Sequence, residues 1–141
     1  SAHFNGYCFT SSVLNNRMGV PPMVLFEGKD GKPQDVHLVQ YGKYALAAYS
    51  FIIFEATSIE ERGRISKGDC GIWKDEFIPD LQRIVNFVHS QGSKIGIQLA
   101  HAGRKASGAI PTLTCRKAYL NIEEGGWEIV APSDIPYEGN D

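Results

Sequence analysis

Cysteine is scarce in this chain: Cys8, Cys70 and Cys115 are the three in 141 residues. Their odd number and wide spacing argue against a disulfide framework, and no pair has metal-ligand spacing. Reduced thiols in a cytoplasmic protein are therefore expected. His3, His37, His89 and His101 are equally scattered, none at ligand spacing with a carboxylate, so no metal is expected. No apolar run approaches the roughly 18 residues that span a bilayer. The start, Ser1-Ala2-His3-Phe4, lacks the charged and apolar regions of a signal peptide. Charge of one sign is not clustered either. The 14 Lys and Arg oppose 16 Asp and Glu, so neither nucleic acid nor a membrane is an expected partner. Internal repeats and low-complexity segments are missing as well.

What is present is an alternation of strand-like and helix-like patches in a length that suits one domain. Arg17-Met18-Gly19-Val20-Pro21-Pro22-Met23 is a short apolar run. Proline cannot donate to a sheet ladder, so a strand should stop near Val20 or Pro21. A turn-rich loop precedes a helix expected over Asp35 to Tyr49, with Asp35 as N-cap and Val36, Val39, Tyr44 and Ala47 on its apolar face. Gly42 weakens that helix. The run Tyr49 to Thr57 is continuously apolar at its centre and suits a strand covered on both faces. A loop from Ser58 to Gly71 leads to the clearest helix, Lys74 to Gln91, with a stripe of Phe77, Leu81, Ile84, Val85 and Val88. Pro79 must fall in its first turn, and Gly92 supplies its stop. A third strand follows at Lys94 to Leu99. Beyond Gly103 the pattern weakens, with only a short extended piece expected near Trp127 to Ser133.

Strand, helix, strand, helix, strand with short connections implies parallel strands and right-handed crossovers. A doubly wound nucleotide site would need a glycine-rich turn after the first strand, where Pro21-Pro22-Met23 stands instead. The pattern admits an open doubly wound sheet or part of a (β/α) barrel, and the missing glycine-rich turn favours the barrel. The expected fold class is α/β, about three β/α units. Residues 1–14 are an N-terminal extension, and 107–141 a loop-rich C-terminal part.

In a barrel the C-terminal strand ends line the active site. Here they carry Pro22-Met23-Val24, Glu55-Ala56-Thr57 and Gln98-Leu99-Ala100-His101. Gln98 offers a donor and an acceptor that match the alternating edge of a pyrimidine-like ring. Spacing alone favours the plainer role of satisfying buried backbone groups. His101 and Arg104 could bind an anion or move protons. The plainer reading has them pin the loop, with Arg104 paired to Glu55 or Asp69. Cys70 lacks a sequence-adjacent base and reads as inert. Trp73 and Trp127 read as packing residues.

Five ordered blocks resemble the Old Yellow Enzyme family of NADPH dehydrogenases, or ene-reductases. They are Asn16-Arg17 with Pro22-Met23, Phe51 to Thr57, Gly63 to Ser66 with Gly68 to Glu76, Ile97 to Ala106, and Val130 to Ser133. The resemblance implies an FMN-binding barrel that reduces activated, enone-type alkenes with NAD(P)H, and in this chain the N-terminal part of that (β/α)8 TIM barrel, incomplete here. It places Pro22, Met23 and Val24 beside the flavin ring, Ala56 near its carbonyl edge, Gln98 on its pyrimidine edge and Phe26 in the substrate pocket. Catalytic positions of the family lie beyond Asp141. Completion of the barrel by a complementary chain or by self-association is therefore expected. An inactive or repurposed homologue, acting as a binding subunit or a flavin-independent isomerase, is the alternative. Four departures stand out. Val24 occupies the place of a cysteine or threonine, Phe26 that of a tyrosine, and Pro21 that of a small residue. Ala48-Tyr49-Ser50 replaces a glycine-rich approach to the second strand.

Overall fold

A computed structural model describes residues 7–9, 12–111 and 119–137. Its elements in order are β1 (Tyr7–Phe9), β2 (Ser12–Leu14), β3 (Gly19–Val20), α1 (Asp35–Leu46), β4 (Phe51–Ser58), β5 (Cys70–Gly71), α2 (Ile78–Ser90) and β6 (Lys94–Ala100). β1 and β2 form a small antiparallel hairpin within the segment that carried no expected element. The remaining strands are parallel, with β4 at the centre. One flank of β4 holds β3 at its start and β5 at its end; β6 runs along the other flank for its full length. β3 is only two residues long because Pro21 and Pro22 supply no ladder donors.

Both helices cover the same face of the sheet. The buried cluster joins Val20, Ile52, Phe54 and Cys70 from the strands to Tyr41 and Ala45 of α1 and Ile84 and Val88 of α2. The α2 stripe is as expected in part: Ile84 and Val88 are buried, and Leu81 and Val85 half-buried. Pro79 does lie in the first turn. Gly92, at φ +81°, closes the helix in the left-handed conformation that glycine adopts without steric penalty.

α1 departs from expectation in three ways. It ends at Leu46, short of Tyr49, and its N-cap is Gln34, with Asp35 as the first helical residue. Its buried side chains are His37, Tyr41 and Ala45, spaced i, i+4, i+8, whereas Val36 and Val39 face outward. The apolar periodicity misled because polar aromatic residues, not valines, face the sheet. Gly42 lets the two helices approach closely: a Cβ there would lie 2.9 Å from the Phe87 ring of α2, which would have to shift. Residues 127–133 join no strand ladder, and among the described residues the regular element after Lys105 is a 3-10 turn at Ile122–Glu124.

Candidate active site at the strand ends

The ladder register pairs Ala56 of β4 with Gln98 of β6. The register slips between Phe54 and Ala56, so Glu55 is an extra, bulged residue. The slip turns Phe54 and Glu55 both toward α1, where Phe54 stacks on Tyr41 at 4.6 Å and Glu55 meets the Tyr41 hydroxyl. Ala56 then points to the opposite face with its partner Gln98. Near it a Cβ on Gly96 would meet the Phe51 ring. Gln98 is exposed, and among the described residues its amide has no hydrogen-bond partner. It therefore does not satisfy buried backbone groups; a free donor and acceptor stand beside a small alanine that is itself buried.

The segment after β3 runs along the opposite flank of β4 at the same level. Leu25 N–H donates to Glu55 Oε2 at 3.3 Å. Pro22 and Val24 are half-buried, and Met23 is 49% exposed. Phe26 is half-buried and holds φ +59°, a left-handed backbone for a bulky residue. Such a conformation costs on the order of 1–3 kcal/mol and persists only where its surroundings impose it. Here Leu25 is bonded on one side, and Gly28 N–H donates to Gly68 carbonyl at 2.7 Å on the other. A Cβ on Gly68 would overlap the Phe26 carbonyl, so that close approach needs glycine.

Behind the strand ends lies a polar cluster that periodicity did not reveal. Tyr41 Oη accepts from Glu55 N–H at 2.8 Å and donates to Glu55 Oε2 at 3.0 Å. Glu55 Oε1 has no hydrogen-bond partner; His37 Nε2 is 3.5 Å away. Burial, with the Glu55 carboxylate second, raises the Tyr41 pKa well above its ordinary value; the same causes, in the same order, hold the Cys70 thiol protonated. His37, Glu55 and Cys70 each bring a potential ligand atom within 4.8 Å of the others. The histidine tautomer opposes a metal there. His37 Nδ1 accepts from Gln34 N–H at 2.9 Å, so Nε2 carries the proton and points it toward Cys70 Sγ at 3.3 Å. One sequence signal did exist: a carboxylate inside the apolar run Phe51 to Thr57 is exceptional unless paired.

His101 and Arg104 do pin loops, Arg104 with a different partner from those expected. His101 Nδ1 accepts from Gly103 N–H at 3.0 Å, which leaves Nε2–H to donate to Glu60 Oε1 at 2.7 Å. Arg104 donates to Ser133 Oγ at 2.8 Å rather than to Glu55 or Asp69, both of which are committed elsewhere. Trp73 and Trp127 flank the Arg64 guanidinium at 5.5 and 5.1 Å. No helix among the described residues is long and apolar enough to cross a membrane.

Residues 4–126 match the sequence family described as NADH:flavin oxidoreductase / NADH oxidase. The chain belongs to that family. An NADPH dehydrogenase of Listeria monocytogenes serotype 4a (strain HCC23) is 41% identical over 137 residues, which cover 96% of this chain and 36% of that protein. An NADH:flavin oxidoreductase of Gibberella zeae is 44% identical over 125 residues, 87% of this chain and 30% of that one. Morphinone reductase superposes with a TM-score of 0.78 at 28% identity, over 98% of this chain and 33% of that chain. Old Yellow Enzyme from Pichia sp. AKU4542 gives 0.71 at 27% identity, over 77% and 28%. The chain is thus an Old Yellow Enzyme family member covering the N-terminal portion of the fold, with three of the barrel's strands and the two helices between them among the described residues. It spans about a third of the length of the curated relatives it matches.

Proposed function

We propose that this chain provides the flavin-ring side of an FMN-dependent, ene-reductase-type oxidoreductase. It reduces enone-type alkenes with NAD(P)H in the cytoplasm once further polypeptide, a second chain or a self-associated copy, completes the barrel. The observation that carries this reading is the pairing of the buried Ala56 with the exposed Gln98, whose amide has no partner among the described residues, on the sheet face turned away from both helices. A planar heterocycle can approach an alanine closely, and the Gln98 amide supplies both a donor and an acceptor to its edge. Pro22, Met23 and Val24 stand on the flank opposite Gln98, at the level where Leu25 meets Glu55. FMN bound there would supply hydride chemistry. This chain's residues would orient the ring, and Phe26 would face the substrate.

The edges support the need for completion. Among the described residues, β6 has β4 as its sole strand neighbour, which leaves a ladder edge open. Beside it an apolar groove of about 260 Å³ lies between Leu81 and Val85 of α2 and Ile95 and Ile97 of β6. Val24 and Phe26 lack the polar atoms of the residues they replace, which is the one feature favouring an inactive binding subunit.

The test is co-expression with the remaining C-terminal part of the Listeria monocytogenes NADPH dehydrogenase. A co-purified yellow complex with stoichiometric FMN, which oxidises NADPH when cyclohexenone is added, is the expected result. Yellow without turnover would favour the binding subunit. A colourless complex would overturn the flavin reading, and tight FMN binding by this chain alone would overturn the need for completion.

A further inference from the structure

We propose that Glu55 is a positioning residue for the cradle: its buried carboxylate locks the Pro22–Phe26 segment to β4 immediately before Ala56. The assignment of that segment as a flavin cradle rests on the function proposed above; the locking itself does not.

Three observations converge. Glu55 is fully buried and sits at the bulge, so its side chain leaves the ladder toward α1 while Ala56 turns to the open face. Its Oε2 reaches across two other elements, accepting from Leu25 N–H at 3.3 Å and from Tyr41 O–H at 3.0 Å. The Leu25 bond lies one residue before the left-handed Phe26, whose far side is fixed through Gly28 and Gly68. The segment 21–27 has no ladder of its own. Leu25 N–H to Glu55 is therefore the tie that sets its distance from β4. A fully buried carboxylate is costly to retain, and packing alone would be served by an apolar side chain of similar volume. What an apolar residue could not do is accept from the Leu25 amide and the Tyr41 hydroxyl together. The Tyr41 hydroxyl in turn accepts from Glu55's own N–H, which stabilises the bulge that orients Ala56. One residue thus ties the Pro22–Phe26 segment to β4 and supports the bulge before Ala56.

The test compares Glu55→Gln, which keeps an acceptor oxygen, with Glu55→Met, which keeps the length and loses it. The first readout is amide hydrogen exchange in this chain without flavin, with the β4 and β6 amides as the control for folding. In Glu55→Met the Leu25 amide should exchange about tenfold faster or more, the loss of one buried hydrogen bond, while the control amides stay protected. Glu55→Gln should stay within about threefold of the parent. The second readout is the FMN dissociation constant and visible band of the complex with the C-terminal part of the Listeria enzyme. Glu55→Met should weaken binding about tenfold and shift the band, and Glu55→Gln should restore both. A folded Glu55→Met with an unchanged Leu25 amide would overturn the proposal. So would a Gln variant as impaired as the Met variant, since that outcome assigns the role to charge. If Glu55→Met does not fold, the parent chain decides: a Leu25 amide as slow as the β4 ladder supports the lock, and a fast one overturns it. A complex that binds no FMN overturns the flavin reading and leaves the exchange result to judge Glu55.

Discussion

α1 and α2 lie side by side on one face of one sheet, yet they are attached by different chemistry. α2 presents Ile84 and Val88 to Phe54 and its neighbours, a contact that water exclusion alone explains. α1 presents His37, Tyr41 and Ala45, and two of these three reach Glu55 or Cys70 rather than an apolar partner. The helix with the weak apolar pattern is the one nearest the candidate site. Its polar groups do what apolar groups cannot, which is to fix a strand and a loop at defined hydrogen-bond distances. The general lesson is that an apolar contact tolerates small slips of position, whereas a directional contact does not.

The largest expected effect tests the apolar side. Ile84→Ala should destabilise by about 3 kcal/mol, the transfer loss plus a cavity, read as a lower urea midpoint at unchanged slope. A loss below about 1 kcal/mol would mean that α2 is loosely seated and that the contrast between the helices fails. Tyr41→Phe tests the polar side. It deletes one hydroxyl that serves as both donor and acceptor to a buried residue, and should cost about 2 kcal/mol. The two variants should differ in local exchange. Ile84→Ala should loosen α2 against the sheet, and Tyr41→Phe should loosen the β4 bulge and Leu25.

The same contrast explains how far the sequence could be read. Parallel order, the stop of β3 at the prolines, and the extent of α2 follow from the alternation of apolar runs, from Pro21 and Pro22, and from the 3.6-residue stripe. Those signals are local. Val36 and Val39 mimic a core stripe on α1, and only the fold shows that His37 and Tyr41 point inward. The link from Glu55 to Leu25 spans thirty residues, and a bulge has no periodicity, so neither was legible. β5 escaped notice for a similar reason: two residues inside a glycine-rich loop become a strand only because β4 extends past β3 and leaves Thr57 and Ser58 open. Of the strand-end residues, the pairing of Ala56 with Gln98 is a matter of register, which the bulge shifts by one.

The helices also end alike and differ in one residue. After α1, Tyr49 N–H donates to Tyr44 carbonyl and Ala48 N–H to Ala45 carbonyl. After α2, Ser93 N–H donates to Val88 carbonyl and Gly92 N–H to His89 carbonyl. Both are the same left-handed closing motif, with φ +81° at Gly92 but φ +62° at Ala48. Ala48, a residue with a Cβ at the left-handed position, therefore carries strain. Ala48→Gly should stabilise the chain by about 1 kcal/mol, and Gly92→Ala should destabilise it by a similar amount. Opposite shifts of the thermal midpoint would confirm that the caps are equivalent. A destabilising Ala48→Gly would show that the backbone there is not left-handed in solution.

The smallest effect comes from an exposed counterpart of the buried histidine–glutamate contact. His101 Nε2 and Glu60 Oε1 lie 2.7 Å apart at the mouth of the site, and Arg62 Nε reaches the same oxygen at 3.0 Å. The bond from His101 first, and that from Arg62 second, hold the Glu60 carboxyl below its ordinary value of 4.5. A carboxyl depressed in the folded state binds fewer protons there than in the unfolded chain, so its contribution is complete above about pH 4.5 and is lost as pH falls through the folded value. Glu60→Gln should therefore match the parent in acid and fall slightly behind it at neutral pH. The gap should shrink in molar salt, because the pair is open to solvent. The buried pair should behave differently. Tyr41 and Glu55 are sealed from solvent, so deleting their hydrogen bonds in Tyr41→Phe should cost the same in low and high salt. Equal salt sensitivity at both places would mean that water reaches Glu55, and that the directional lock on β4 is not dry.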